Sequence, residues 1–194
     1  MSTKKKIGLY GGSFDPVHLG HLLVAQAACE EMGLERLFFI PAAQSPFKPG
    51  MAPTPAAERL RLLRLALAGK SNYEIDEQEI ARGGVSYTID TVRNYVGRFG
   101  DAELYYLIGA DHVSSLHKWR ESEELARLLK FIVIPRPGQP EAVFPGEFRG
   151  HSLQGFPLGV SASQIRERVR MGLSIDNLVA PAVAEAIRNY KLYL

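Results

Sequence analysis

The chain of 194 residues is short of several things that would otherwise dominate its reading. It has one cysteine, Cys29. A single thiol can build neither a disulfide framework within the chain nor a cysteine-rich zinc site, and inside a helical pattern it reads as a small core residue. There is no long apolar run. The basic start Met1-Ser2-Thr3-Lys4-Lys5-Lys6 leads directly into a short strand. Neither a signal peptide nor a membrane span is therefore expected, and the expected location is cytoplasmic. Charge of one sign is also missing. Lys and Arg number 23 against 21 Asp and Glu, a net charge of +2. That is too mild for a nucleic-acid partner and suits a site for small anions. Two familiar phosphate signatures are absent. No G-x-x-x-x-G-K-[ST] occurs, and Gly8, Gly11, Gly12 and Gly20 do not fit G-x-G-x-x-G.

What is present begins at the amino end. A strand-like run, Ile7-Gly8-Leu9-Tyr10, ends in Gly11-Gly12-Ser13-Phe14-Asp15-Pro16-Val17-His18-Leu19-Gly20-His21. Two glycines let the backbone turn sharply and let a ligand approach its N–H groups. The helix that follows offers unpaired N–H groups and a partial positive charge, which suit phosphate. His18 and His21, three residues apart, share one face of that helix start and can aim imidazole donors at a reacting phosphate.

Hydrophobic residues at 46% and charged residues at 23% describe a globular chain, expected to form one domain over residues 1–194. Strands and helices alternate, which argues for a mostly parallel sheet with helices on both faces. Strands are expected at about 6–10, 37–40, 73–80, 104–108 and 131–134. Helices are expected at about 19–32, behind a Thr54 N-cap with Pro55 at the first helical position, from Thr88 to Phe99, near Trp119, at about 123–129, after Val160, and at about 181–190. The stretch from Pro135 to Gly150 reads as loop. In open sheets of this kind ligands lie beyond the carboxyl ends of the strands, so the glycine motif and Gly109-Ala110-Asp111 are expected on one edge.

A second anion site is expected at Val160-Ser161-Ala162-Ser163-Gln164-Ile165-Arg166. Ser161 with Gln164 forms a capping box and so marks a helix start. Ser163 lies in the first turn, and Arg166, one turn on, carries a planar fork matched to phosphate oxygens.

Together these residues resemble the HxGH-type nucleotidyltransferase superfamily. Further landmarks are Ile40-Pro41-Ala42, Ser45-Pro46-Phe47-Lys48, Arg82-Gly83-Gly84-Val85-Ser86-Tyr87-Thr88, Gly109-Ala110-Asp111 and Trp119. With them the chain is similar, over nearly its whole length, to the bacterial nicotinate mononucleotide adenylyltransferase family. Two departures stand out: that family usually has threonine at the position of Ser163, and commonly histidine at that of Phe47.

The resemblance implies a Rossmann-like fold with a C-terminal helical segment. It also implies attack of a pyridine mononucleotide phosphate on the α-phosphorus of ATP. His18, His21, Lys48 and Arg166 would then be the catalytic residues. ATP would meet Gly11, Gly12, Ser13, Phe14, His18, His21, Gly109, Asp111, Ser161, Ser163 and Arg166. Nicotinate mononucleotide would meet Ser13, Lys48, Tyr87, Thr88 and Trp119. Mg²⁺ would ride on ATP oxygens and water, with no protein cage. No nucleic acid and no membrane are expected as partners, while association of copies is left open. The alternatives are another member of the superfamily, such as phosphopantetheine adenylyltransferase or a cytidylyltransferase, and a non-catalytic nucleotide-binding module.

Overall fold

The structure, a computed structural model, describes residues 4–47, 52–136, 138, 141–155 and 158–194. Its frame is a six-stranded sheet: β1 (Lys6–Gly12), β2 (Arg36–Pro41), β3 (Tyr73–Ile75), β4 (Glu103–Gly109), β5 (Lys130–Ile134) and β6 (Gly150–Ser152). The strand order is β3-β2-β1-β4-β5-β6, and every pairing is parallel. Parallel neighbours require crossovers, which the helices provide. These are α1 (Leu19–Met32), α2 (Ala56–Leu67), α3 (Gln78–Arg82), α4 (Thr88–Arg98), α5 (Ala110–Val113), α6 (Ser122–Leu128), α7 (Ala162–Arg170) and α8 (Pro181–Asn189), with a 3₁₀ turn at Leu116–Lys118. The expected mostly parallel sheet is this one.

Period-two alternation divides the strand side chains between two cores. Leu37, Phe39, Tyr105, Leu107 and Ile132 face one side, where Ala25 and Ala28 of α1, Leu62 and Leu63 of α2, Ile165 of α7 and Val183 of α8 meet them. Ile7, Leu9, Phe38, Ile40, Leu104, Phe131 and Val133 face the other, against Ile89 and Val92 of α4 and Leu125 of α6. Full burial of one such Leu, Ile or Phe is worth about 1.5–3 kcal/mol, so either layer of helices is strongly held. The small alanines of α1 bring that helix, and the histidines at its start, close to the sheet.

Three local expectations are corrected. The run 73–80 is strand only to Ile75, because the Asp76 carboxylate accepts the Gln78 N–H at 3.0 Å and turns the chain into α3. Tyr95 and Arg98 of α4 also bond that carboxylate, which fixes the bend. The N-cap of α2 is Pro55, without a side-chain cap; the Thr54 backbone is engaged elsewhere, by Asp15 and Arg59. The end of the expected loop pairs with β5 as β6. There Gly150 runs so close to β5 that a Cβ would lie 2.2 Å from the Phe131 carbonyl oxygen. A lone glycine before two polar residues gives little signal of a strand.

Candidate active site

The strand order reverses between β1 and β4, and a cavity of about 430 Å³ opens at their carboxyl ends. Such switch points are where open parallel sheets bind ligands. Gly11 and Gly12 close β1 at this edge and line the cavity. A Cβ on Gly11 would lie 2.2 Å from the Tyr106 hydroxyl, so glycine is what allows Tyr106 to approach. Ser13 lines the cavity beside them. Phe14 then takes φ 46°, a left-handed conformation uncommon for a bulky residue. Its ring is buried among Tyr10 and Phe39, with centroids 5.5 Å away from both, and against His21 at 5.0 Å. Phe14 therefore anchors the turn from below.

His18 is the N-cap of α1, and its N–H donates to Nδ1 of His21 at 3.1 Å. The bond identifies the His21 tautomer: with Nδ1 accepting, a neutral ring carries its proton on Nε2. The two imidazoles stack at 3.7 Å with an interplanar angle of 29°. Burial pulls the His18 pKa from 6.5 down to about 4, so this ring is neutral at physiological pH. Its Nδ1 is buried with no hydrogen-bond partner among the described residues. Both histidines line the cavity.

The glycine turn is braced from outside the cavity. Arg59 of α2, 1% exposed, donates to the Ser13 carbonyl at 2.8 Å and to that of Thr54 at 2.9 Å. The Asp15 carboxylate accepts from the Thr54 N–H at 3.1 Å and from the Tyr193 hydroxyl at 2.9 Å. Arg166 of α7 donates to the Asp15 carbonyl at 2.7 Å and to the Ser163 hydroxyl at 3.3 Å. The two expected anion sites are thus bonded to each other. At the start of α7 the capping box is formed: Gln164 N–H reaches Ser161 Oγ at 3.3 Å, and Ser161 N–H reaches Gln164 Oε1 at 2.9 Å. Ser161 and Ser163 line the main cavity. Arg166 and Phe14 line an adjoining cavity, also of about 430 Å³, which meets the first at Ser13, His21, Ser45 and Ala162.

The far wall is aromatic. Trp119 follows the 3₁₀ turn and packs edge-on to Tyr106 and Phe131, both at 6.3 Å. Its Nε1 is buried without a partner among the described residues. Phe47 lies 5.4 Å from Trp119 and 4.6 Å from His112. Thr88, at the start of α4, lines the cavity, whereas Tyr87 lines neither cavity: its ring carries the Arg120 guanidinium at 4.9 Å. Lys48 lies outside the described residues. Gly109 and Asp111 are on the expected edge, with Asp111 gripped by Arg136 through two bonds of 2.9 and 3.1 Å. That guanidinium holds the Asp111 carboxyl below its ordinary range.

Four contributors escaped the sequence reading: Arg59, Glu79, Tyr106 and Arg136. Arg136 had a usable signal, a cation just past the carboxyl end of a buried strand. The other three sit inside apolar or polar helix and strand patterns that give no hint of the cavity. Among the described residues no group of three or more His, Cys, Asp or Glu side chains could hold a metal ion, and no helix is long and apolar enough to cross a membrane.

Three helix starts, those of α1, α4 and α7, line this cavity with a glycine turn and two imidazoles, an arrangement of donors suited to anionic groups. Fold and site together define a nucleotidyltransferase, and a family model described as cytidylyltransferase-like matches residues 9–168. A protein of Opitutus terrae named "probable nicotinate-nucleotide adenylyltransferase" is 42% identical over 97% of each chain. One of the same name from Rhodopirellula baltica is 39% identical over 96% of this chain and 92% of that one. The solved nicotinic acid mononucleotide adenylyltransferase of Plasmodium falciparum, complexed with NaAD, shares the fold with a TM-score of 0.79 at 20% identity, covering 97% of both chains. The chain belongs to the nicotinate-nucleotide adenylyltransferase family.

Proposed function

We propose that the protein transfers the adenylyl group of ATP to nicotinate mononucleotide, releasing pyrophosphate and forming the dinucleotide. The observation that carries this is the convergence of three helix N-termini on one cavity whose far wall is an indole. The starts of α1 and α7 suit a chain of phosphates, that of α4 a carboxylate, and the indole a flat ring. An oxygen of the acceptor phosphate attacks the α-phosphorus, and the bond from that phosphorus to the α,β-bridging oxygen breaks. The attacking phosphate is already anionic, so no general base is required. Catalysis rests on positioning and on donors that follow the moving charge.

In this reading Nε2–H of His21 and the ring of His18 face the ATP phosphates, while Gly11, Gly12 and Ser13 cradle them. Ser163 in the main cavity and Arg166 in the adjoining one hold the β- and γ-phosphates and so stabilise the leaving pyrophosphate. Gly109 and Asp111 take the adenosine end. Trp119 stacks on the pyridine ring, Lys48 adds a cation from the loop after β2, and the N–H donors at the start of α4, at Thr88, receive the nicotinate carboxylate. A helix start gives donors only, which favours a carboxylate over an amide that also wants an acceptor. Enzymes of this class generally use a divalent metal. We place Mg²⁺ on the ATP oxygens, because Asp15 and Asp111, which line the two cavities, are already engaged by Thr54, Tyr193 and Arg136.

Pyrophosphate release from ATP on addition of nicotinate mononucleotide tests the reaction. Equal kcat/KM for nicotinate and nicotinamide mononucleotides would overturn the assigned preference, and turnover only with phosphopantetheine would overturn the acceptor.

A further inference from the structure

Glu79 on α3 is a carboxylate that the reaction does not use, yet it is 3% exposed and lines the cavity. Two hydroxyls bond to it: Thr91 at 2.6 Å, fully buried, and Ser86, which is 7% exposed. Their polarity can be read from their other partners. The Ser86 oxygen accepts the Ala43 N–H at 3.0 Å, and the Thr91 oxygen accepts from Arg82 at 3.5 Å. Each hydroxyl therefore directs its own proton to Glu79, which is the common acceptor of two relays. The Ser86 relay reaches the loop after β2, and a second tie joins the same segments: Ser86 N–H donates to the Gln44 carbonyl at 2.9 Å, and Gln44 bridges Val85. The Thr91 relay reaches into α4, three residues beyond Thr88. Burial raises the Glu79 pKa, while the two hydroxyls and the nearby Arg82 charge oppose that rise.

We propose that Glu79 is a positioning residue for the acceptor nucleotide, fixing the Ser86–Thr88 helix start and the Ala43–Phe47 segment to one buried carboxylate. The inference rests on the proposed reaction, because that reaction assigns the start of α4 to nicotinate mononucleotide, and the Ala43–Phe47 segment lines the same cavity. Glu79 does not touch the reacting atoms. Its oxygens are engaged by the internal donors Thr91 and Ser86. In that reading the ATP phosphates lie against β1, α1 and α7, none of which bonds to Glu79.

Glu79→Gln keeps the side-chain shape but replaces one of the two carboxylate oxygens with an N–H₂ donor, which weakens the site as a common acceptor of two hydroxyls. Weakening a buried hydrogen-bonded pair by about the worth of one bond predicts a rise of about tenfold in KM for nicotinate mononucleotide, with KM for ATP within about twofold. Ser86→Ala breaks the same relay from the donor side and should give the same selective rise, and the double variant should be no worse than Glu79→Gln alone. Ser86→Ala decides the matter if Glu79→Gln fails to fold. Titration calorimetry with ATP alone and with nicotinate mononucleotide alone should show the same split. Equal weakening of both ligands, or of neither, in a folded variant overturns the proposal. If the wild-type protein adenylylates nicotinate mononucleotide while Glu79→Gln is unchanged, only the role of Glu79 fails. If the wild-type protein does not, the reaction itself fails.

Discussion

His18 ties the stability of this fold to pH in a way that can be worked through. Its ring is 8% exposed, and burial lowers its pKa to about 4 from the ordinary 6.5. Between those values the unfolded chain takes up a proton at this position and the folded chain does not. Stability contributed by the neutral ring is therefore complete above about pH 6.5, falls as pH drops through that value, and stops falling near pH 4. The gap corresponds to about 3 kcal/mol, a large part of the 5–15 kcal/mol that holds a typical domain. Asparagine at position 18 is a good N-cap and has no such titration.

Urea unfolding of the wild-type protein and of His18→Asn, followed from about pH 7.5 to about pH 4, isolates the effect from all other titrating groups. The difference in unfolding free energy between the two proteins should change by about 3 kcal/mol over that range, in the direction that favours the variant at low pH. Parallel curves would refute the reasoning, because they would mean that His18 charges in the folded state as easily as in the unfolded one.

Two further substitutions separate chemistry from bracing. His21→Asn places an amide where Nδ1 now accepts the His18 N–H and removes the Nε2 donor; kcat should fall by about 10²–10³ with thermal stability little changed, as steady-state assays and a melting curve would show. Arg59→Met leaves the Ser13 and Thr54 carbonyls without their buried donor and should cost about 3 kcal/mol or more; a melting temperature within a degree or two of wild type would contradict it.

Much of this architecture was legible because the chemistry of the site is written in short segments. Gly11 to His21 and Ser161 to Arg166 each contain a turn, a helix start and phosphate-seeking side chains, so local rules suffice to place them. The sheet was legible for a similar reason: 37–40, 104–108 and 131–134 are apolar runs between turn residues. Legibility failed where a residue acts through a partner distant in sequence. Nothing in the segment around Asp15 points to distant partners, yet its carboxylate bonds Thr54 and Tyr193. Asp76 bends its strand into α3 with the help of Tyr95 and Arg98 on another helix. The β6 strand exists only because β5 offers an edge and Gly150 has no side chain.

The same distinction explains why a fully buried guanidinium occurs at the back of a phosphate site. The turn after β1 leaves the sheet ladder at Gly12, so the carbonyls of Ser13 and Asp15 have no strand partner. Buried carbonyls require donors. Arg59 and Arg166 are those donors, at 2.8 and 2.7 Å, and both come from helices packed on the same face as α1. Only Arg166 continues into open space, where it lines the adjoining cavity. One arginine is thus confined to holding the turn, while the other holds the turn and remains available to an anion. Lysine at position 166 could supply a charge to that anion but not the two N–H groups that Arg166 now directs to Asp15 and Ser163. Its loss would therefore be felt in the geometry of the turn as well as in the binding of the leaving group.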